Sequence, residues 1–302
     1  MRNSSRRRFI REFAGGAALF GTLSMLSNLV NASSRGPNNR APAMFIGHGD
    51  PMNATKNNAA TDEWERIAKL LSTRDRPVAI LCVSAHWEST KTMVSTVASP
   101  ELIYDFYGFP KFMYELKYPA PGFPQSNALI NNALSGESIS EDPKRGLDHG
   151  AWSVLSRLFP DADIPVFQVS LARSMSAEEH YSLAKQISIL RDKGVMIIGS
   201  GNLTHNMRSW QRDSSLGQTH LVHDWAEAFD QAVAEAIIKG DHKTLIRIAQ
   251  QKPSLFLLAH PTSEHYLPII YALGAQHNND NLEFFAETFE EGSFSMRSFL
   301  LS

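Results

Sequence analysis

Short, continuous apolar runs alternate along this chain with segments whose apolar residues recur at helical spacing. Ala43-Met44-Phe45-Ile46 halts at Gly47-His48-Gly49-Asp50-Pro51-Met52, and Val78-Ala79-Ile80-Leu81-Cys82-Val83 halts at Ser84-Ala85-His86-Trp87-Glu88. Val195-Met196-Ile197-Ile198 runs into Gly199-Ser200-Gly201-Asn202-Leu203-Thr204-His205-Asn206. Runs of this length without polar alternation predict strands covered on both faces. Further strands are predicted over 165–171 and 282–288. Helices are predicted over 62–71, 148–159, 177–193, 219–239 and 262–273, the last with Thr262 as N-cap, Glu264 in the first turn and Gly274 as its stop. The pattern predicts an α/β fold in a single domain, with a central mostly parallel or mixed sheet flanked by helices. Ligands of such sheets bind outside the strand carboxyl ends, so a metal site is expected there.

The first residues follow a different pattern. Ser5-Arg6-Arg7-Arg8-Phe9-Ile10-Arg11 precedes an uncharged stretch from Phe13 to Val30, and Val30-Asn31-Ala32 offers small residues for a signal peptidase. Residues 1–32 are expected to be a twin-arginine signal peptide cleaved after Ala32, 33–40 a polar linker and 41–302 the catalytic domain. That implies passage through the twin-arginine export machinery, a periplasmic location, and no stable membrane span once the leader is gone. The alternatives are an uncleaved anchor or a basic tail. Because the twin-arginine route carries folded proteins, often with a cofactor already inserted, it favours a metal.

Composition then narrows the function. The net charge is −2, with 43% hydrophobic and 20% charged residues. No internal cluster of Lys and Arg supplies the basic surface that a nucleic-acid partner needs. The lone cysteine, Cys82, lies in an apolar run and is expected in the core. Gly199-Ser200-Gly201 lacks the third glycine of a dinucleotide loop, and neither a Gly-x-Ser-x-Gly elbow nor His-Glu-x-x-His occurs.

What remains is histidine. His48, His86 and His205 each follow a predicted strand, and such repetition is hard to ascribe to packing, since neutral imidazole fills a core poorly and binds Zn, Fe or Cu well. His149, His260 and His265 stand at predicted helix starts, whereas His180, His220, His223, His242 and His277 read as structural, in polar or helical surface settings. A long stretch from Tyr104 to Gly122, dense in aromatics, Gly and Pro, is expected to line a pocket or to pack on itself. Tyr104, Phe106, Phe109 and Trp87 are candidates for a ring-binding wall.

Ordered segments now carry a resemblance. Gly47-His48-Gly49-Asp50-Pro51-Met52, Ser84-Ala85-His86-Trp87, Tyr118-Pro119-Ala120-Pro121-Gly122, Leu147-Asp148-His149-Gly150, Gly201 to Asn206 and Pro261-Thr262-Ser263-Glu264-His265-Tyr266-Leu267-Pro268 together resemble the class III extradiol dioxygenases of the 4,5-DOPA dioxygenase type. The resemblance spans nearly the whole chain after the leader. It implies one divalent metal per chain, Fe(II) for activity or Zn(II) as found, on His48, His86 and His265. His205 would act beside the metal as acid and base, or touch it as a further ligand, and His149 would be a pocket histidine donating a hydrogen bond. The implied partners are a small aromatic diol and O2. Two departures stand out. Asp50 occupies a position where the family has Ser, so it would orient His48, bind the metal weakly, select a substrate ammonium group or do nothing; and the relatives lack a leader. The rival readings are a zinc hydrolase on the same scaffold, and a metal-binding or partner-binding protein without catalysis.

Overall fold

The computed structural model describes residues 40–136 and 138–302. The expected leader, 1–32, and all of the expected linker except Arg40 lie outside them. A mixed sheet forms the centre. Its strands are β1 (Ala43–Gly47), β2 (Ala79–Ser84), β3 (Val166–Gln168), β4 (Val195–Gly201), β5 (Leu282–Phe285) and, after a small hairpin of β6 (Phe289–Glu290) and β7 (Phe294–Ser295), β8 (Ser298–Leu301). The order across the sheet is β3-β2-β4-β1-β8-β5. The first four run parallel, while β8 is antiparallel to β1 and to β5.

Alternation along each strand divides the core in two. Phe45, Leu81, Val83, Ile197 and Phe299 face one side and meet helices α3 (Ala177–Ile187), α5 (Asp224–Ile238), α6 (Pro253–Ala259) and α7 (Leu267–Gly274). Met44, Ile46, Ile80, Cys82 and Ile198 face the other, against α1 (Ala59–Ser72) and α2 (His149–Leu158). Both faces are dry, which is why the strands read as unbroken apolar runs. Complete burial of a side chain such as Ile67 or Leu155 contributes about 1.5–3 kcal/mol. Cys82 lies in this core as expected, with burial pushing its thiol pKa up.

The helices start where local chemistry satisfies their free N–H groups. Asn58 and Thr61 form a capping box on α1, Ser176 and Glu179 do so on α3, and Asp148 caps α2 at Ala151 N. Other expectations need correction. The predicted strand 165–171 splits after Gln168, because the chain leaves the sheet so that Leu171–Ala172 can pair with Glu88–Ser89. Helix 219–239 begins only at Asp224. A polar helix, α4 (Met207–Ser215), and the terminal strand β8 were not predicted. Thr262 caps nothing: its hydroxyl donates to Glu264, and α7 starts at Leu267 with Pro268 in its first turn. His265 therefore sits in the turn before the helix. His180 is fully buried and not at the surface, with Nδ1 against the Tyr271 hydroxyl at 2.8 Å. Among the described residues, no helix is long and apolar enough to cross a membrane.

Candidate metal centre

The parallel strands β1, β2 and β4 end side by side, so the loops that follow them converge. His48 follows β1 and donates its backbone N–H to Gly201 O at the end of β4 (2.9 Å). Its ring is set by a relay. Ser200 Oγ donates to Gly150 O (2.6 Å), so its oxygen accepts from His48 Nδ1–H (3.0 Å). That fixes the tautomer and leaves Nε2 with a free lone pair.

His86, after β2, is anchored by a residue that sequence reasoning did not single out. Asp105, from the aromatic loop, places Oδ2 3.2 Å from His86 Nδ1 and Oδ1 2.9 Å from His149 Nδ1. It also accepts from His149 N–H at 3.0 Å. Burial alone would push the Asp105 pKa up, but the hydrogen bonds from His149 and His86 reverse this and hold its carboxyl well below the usual range. A carboxylate accepting at both oxygens makes each Nδ1 the donor, so His86 and His149 also expose Nε2 as a lone pair. His149 as held here is therefore an acceptor toward a ligand, where a donor was expected.

His265 repeats the design. Glu264 Oε1 lies 3.1 Å from His265 Nδ1, and the buried Nε2 has no partner among the described residues. An unpaired buried nitrogen costs free energy unless something absent from the protein chain meets it. The rings converge further: His86 Nε2 lies 3.1 Å from His48 Nε2, and the His265 ring centroid is 5.2 Å from that of His48 and 5.0 Å from that of His86. Two facing lone pairs repel unless a cation lies between them. Nitrogens about 2.0–2.1 Å from one ion at right to tetrahedral angles stand about 2.9–3.4 Å apart, which the observed 3.1 Å satisfies. Burial, then the neighbouring histidines, push the pKa values of His48 and His265 well below the usual imidazole value, keeping them neutral. Burial first and then His86 likewise lower the pKa of His149, against the pull of Asp105. The donor set fits one divalent ion.

Two groups of donors line the site, one built on His48 and His86 and the other on His265. With His149, the ligating atoms of His48 and His86 all lie within 4.8 Å of one another. His265, whose Nε2 is orphaned, forms a second such group with His205 and Glu264. The orphaned atom is the stronger physical indication, because His149 leaves no comparable unmet demand among the described residues.

His205 differs from all of these. Its ring lies flat on that of His265, with centroids 3.5 Å apart and planes 3° apart, and Phe294 covers the other face at 4.8 Å and 19°. His205 thus stands against the His265 donor, within reach of the same ligand. Its ring nitrogens have no hydrogen-bond partner among the described residues, so either can carry the proton. The loop that holds it is tightly fixed. His205 N–H donates to Ala259 O (2.8 Å), His260 Nε2 lies 2.8 Å from Leu203 O, and Asn206 caps α4 at Ser209 N (3.0 Å).

Two glycines permit this crowding. A Cβ on Gly150 would lie 2.5 Å from Ser84 Oγ and 3.0 Å from His86 Cδ2, and one on Gly201 would meet His265 O at 2.2 Å. Beneath them, Asp148 receives Ser84 Oγ (2.6 Å), Arg145 Nη2 (2.7 Å) and Gln168 Nε2 (2.8 Å), tying β2 and β3 to the start of α2. Arg145 also bonds His86 O and lies over the Trp87 ring. Trp87 is thus buried packing, not wall. Phe106 does reach the site, 5.8 Å edge-on from His149, with Phe109 4.9 Å behind it. Tyr104 turns its hydroxyl to Leu116 O. Asp50 does not orient His48: Oδ1 accepts from Met52 N (2.7 Å), capping the short turn Pro51–Ala54.

Comparison with known proteins bears on the chain as a whole. A family model described as the catalytic LigB subunit of aromatic ring-opening dioxygenase matches residues 41–296. A 4,5-DOPA dioxygenase extradiol of Escherichia coli (strain K12) is 38% identical over 265 residues, 86% of this chain and 94% of that protein. Another, from Beta vulgaris, is 36% identical over 258 residues, 84% of this chain and 94% of that one. The crystal structure of an uncharacterised protein from Escherichia coli K12 superposes with a TM-score of 0.71 at 32% identity, covering 87% of this chain and 100% of its own.

Proposed function

This chain belongs to the LigB family of aromatic ring-opening dioxygenases and is an extradiol ring-cleaving oxidoreductase, and from that premise we propose that His48, His86 and His265 hold its single divalent metal, Fe(II) in the active enzyme, while His205 handles protons beside it. The observation that carries the ligand assignment is the convergence of Nε2 atoms whose opposite nitrogens are each tied down by Ser200, Asp105 or Glu264. Such a metal would supply an open coordination face on which a diol and dioxygen meet and exchange electrons.

The protein's own groups perform the rest. The substrate is a catechol-type aromatic, and its ring lies toward Phe106. His205, with a neutral ring and no hydrogen-bond partner for its ring nitrogens among the described residues, takes a proton from the diol and returns one as the ring opens; burial and the nearby His260 hold its pKa well below the usual value. His149 accepts a hydrogen bond from substrate at Nε2, its Nδ1–H being committed to Asp105. Both atoms of O2 enter the product, and one ring carbon–carbon bond is lost. Family membership does not favour a zinc hydrolase, because these relatives are oxygenases by name.

The test is anaerobic reconstitution with Fe(II) or Zn(II), then catechols and air. The Fe(II) protein should consume oxygen and form a yellow ring-opened product, and the Zn(II) protein should not, since Zn(II) has no redox chemistry. No uptake by the Fe(II) protein with any catechol would sink the reading.

Export through the twin-arginine machinery to the periplasm is also proposed, on Ser5 to Arg11 and the uncharged stretch after it. Protein recovered from the periplasm should begin after Ala32. Retention in the cytoplasm, unaffected by Arg6→Lys with Arg7→Lys, would contradict it.

A further inference from the structure

His48, His86, His149 and His265 each have one ring nitrogen hydrogen-bonded to Ser200, Asp105 or Glu264. His205 has no such bond among the described residues, yet the role proposed for it demands a fixed ring. Its orientation must come from elsewhere. The rings of His265, His205 and Phe294 form a continuous stack, with spacings of 3.5 Å and 4.8 Å and interplanar angles of 3° and 19°. Phe294 is itself nearly buried, at 6% exposure, on the small strand β7.

That strand is bolted to the loop carrying His205. Ser295 N donates to Thr204 Oγ1 (2.9 Å), Asn202 Nδ2 donates to Ser295 O (2.9 Å), and Ser295 Oγ donates to Asp230 Oδ1 (2.6 Å). Asp230 is in turn paired with Arg297. Residues on either side of Leu203 thus grip the residue next to Phe294. Asn202 and Thr204 set the distance between the Phe294 ring and the His205 loop, and the ring sets the plane of the imidazole.

We propose that Phe294 is a positioning residue for ring cleavage: by closing the stack on His205 it fixes the plane in which that imidazole takes and returns a proton, without using a hydrogen bond that would commit either nitrogen. The inference rests on the proton-handling reading of His205. It explains how a group can be held and still keep both nitrogens available. A hydrogen-bonded anchor, as on the other histidines, would fix one tautomer and remove one of the two proton positions. Offset stacking contributes about 0.5–1.5 kcal/mol per aromatic pair, enough to hold a ring plane and too little to bind a proton.

The test compares Phe294→Leu and Phe294→Val, which keep apolar bulk without a flat face, with Phe294→Tyr, which keeps the face. In the Fe(II)-reconstituted enzyme, the Leu and Val variants should lose about tenfold to a hundredfold in kcat, the scale set by small misplacements of a reacting group. KM should stay within about twofold and metal content should equal that of the unsubstituted protein. The Tyr variant should retain turnover. A second readout needs no turnover. In the Zn(II)-loaded protein, the His205 ring protons should resonate upfield beneath the Phe294 face, moving toward ordinary imidazole values in the Leu and Val variants and staying in the Tyr variant. Unchanged kcat in the Leu and Val variants, equal damage by Tyr, or ring protons that do not move would each overturn the proposal. Full turnover in His205→Ala would overturn the proton role on which it rests, and the ring-proton measurement distinguishes that failure because it reads the stack alone.

Discussion

The proposed ligand side of the site and the proposed proton side are held by opposite means. His48, His86 and His265 are tied through Nδ1 to a hydroxyl or carboxylate, which fixes the tautomer, aims Nε2 and raises its donor strength. His205 is held by two aromatic faces and by its backbone, so its ring is oriented while its protonation stays open. A ligand needs one committed lone pair for as long as the metal is bound. A group that takes and returns a proton must change state, so an anchor that commits a nitrogen works against it. The same residue type serves both ends because the surroundings differ.

This contrast can be broken experimentally. The largest effect is expected from His48→Ala, which should abolish metal retention and turnover together, as measured by metal analysis and oxygen uptake. Next, His205→Ala should keep the metal and lose about 10²–10⁴ in kcat, the range of a general acid–base group. Loss of metal in that variant would place His205 with the ligands and erase the distinction. Asp105→Asn should weaken metal binding about tenfold to a hundredfold, the cost of removing an outer partner of a ligand, read by competition with a chelator. Unchanged affinity would mean that Asp105 does not orient His86.

The smallest effect on the chemistry is expected far from the site, at the opposite ends of the strands. There the fully buried Arg191 pairs with Asp280 (2.6 Å) and bonds Ala41 O and Ala275 O. Burial alone would raise the Asp280 pKa, but the bonds from Arg191 outweigh it and hold the carboxyl below its unfolded value. Its contribution to stability is therefore present above the unfolded pKa and is lost as pH falls through the folded one. Asp280→Asn should lower unfolding stability by up to about 3–5 kcal/mol at neutral pH, the scale for breaking a buried pair, with a smaller difference in acid and the kcat of the folded enzyme unchanged. A stability difference that does not shrink in acid would contradict the ion-pair account.

Much of the proposed ligand side was legible in the sequence, and little of what orients it. An apolar strand that stops at a histidine is a local pattern, so His48, His86 and His205 could be read from their own neighbourhoods, and the dry faces of the sheet explain why the runs were unbroken. His265 and His149 gained their roles only through resemblance. Asp105 was hidden in an irregular aromatic loop and reaches His149 across 44 positions, a pairing that no local pattern carries. Phe294 was equally hidden, because a short hairpin near the chain end looks like any apolar remnant until Asn202 and Thr204 are seen to grip it. Helix α4 escaped because its exposed face is polar and few of its residues are buried. The start of α7 was misplaced because Thr262 had a nearer partner in Glu264 than the helix could offer.

Whether His265 or His149 is the third ligand beside His48 and His86 is decided most directly by metal retention. Metal per chain should be measured after reconstitution of His265→Ala and His149→Ala under identical conditions. The account expects His265→Ala to lose the metal and His149→Ala to keep it with impaired turnover. Retention by His265→Ala together with loss by His149→Ala would contradict it.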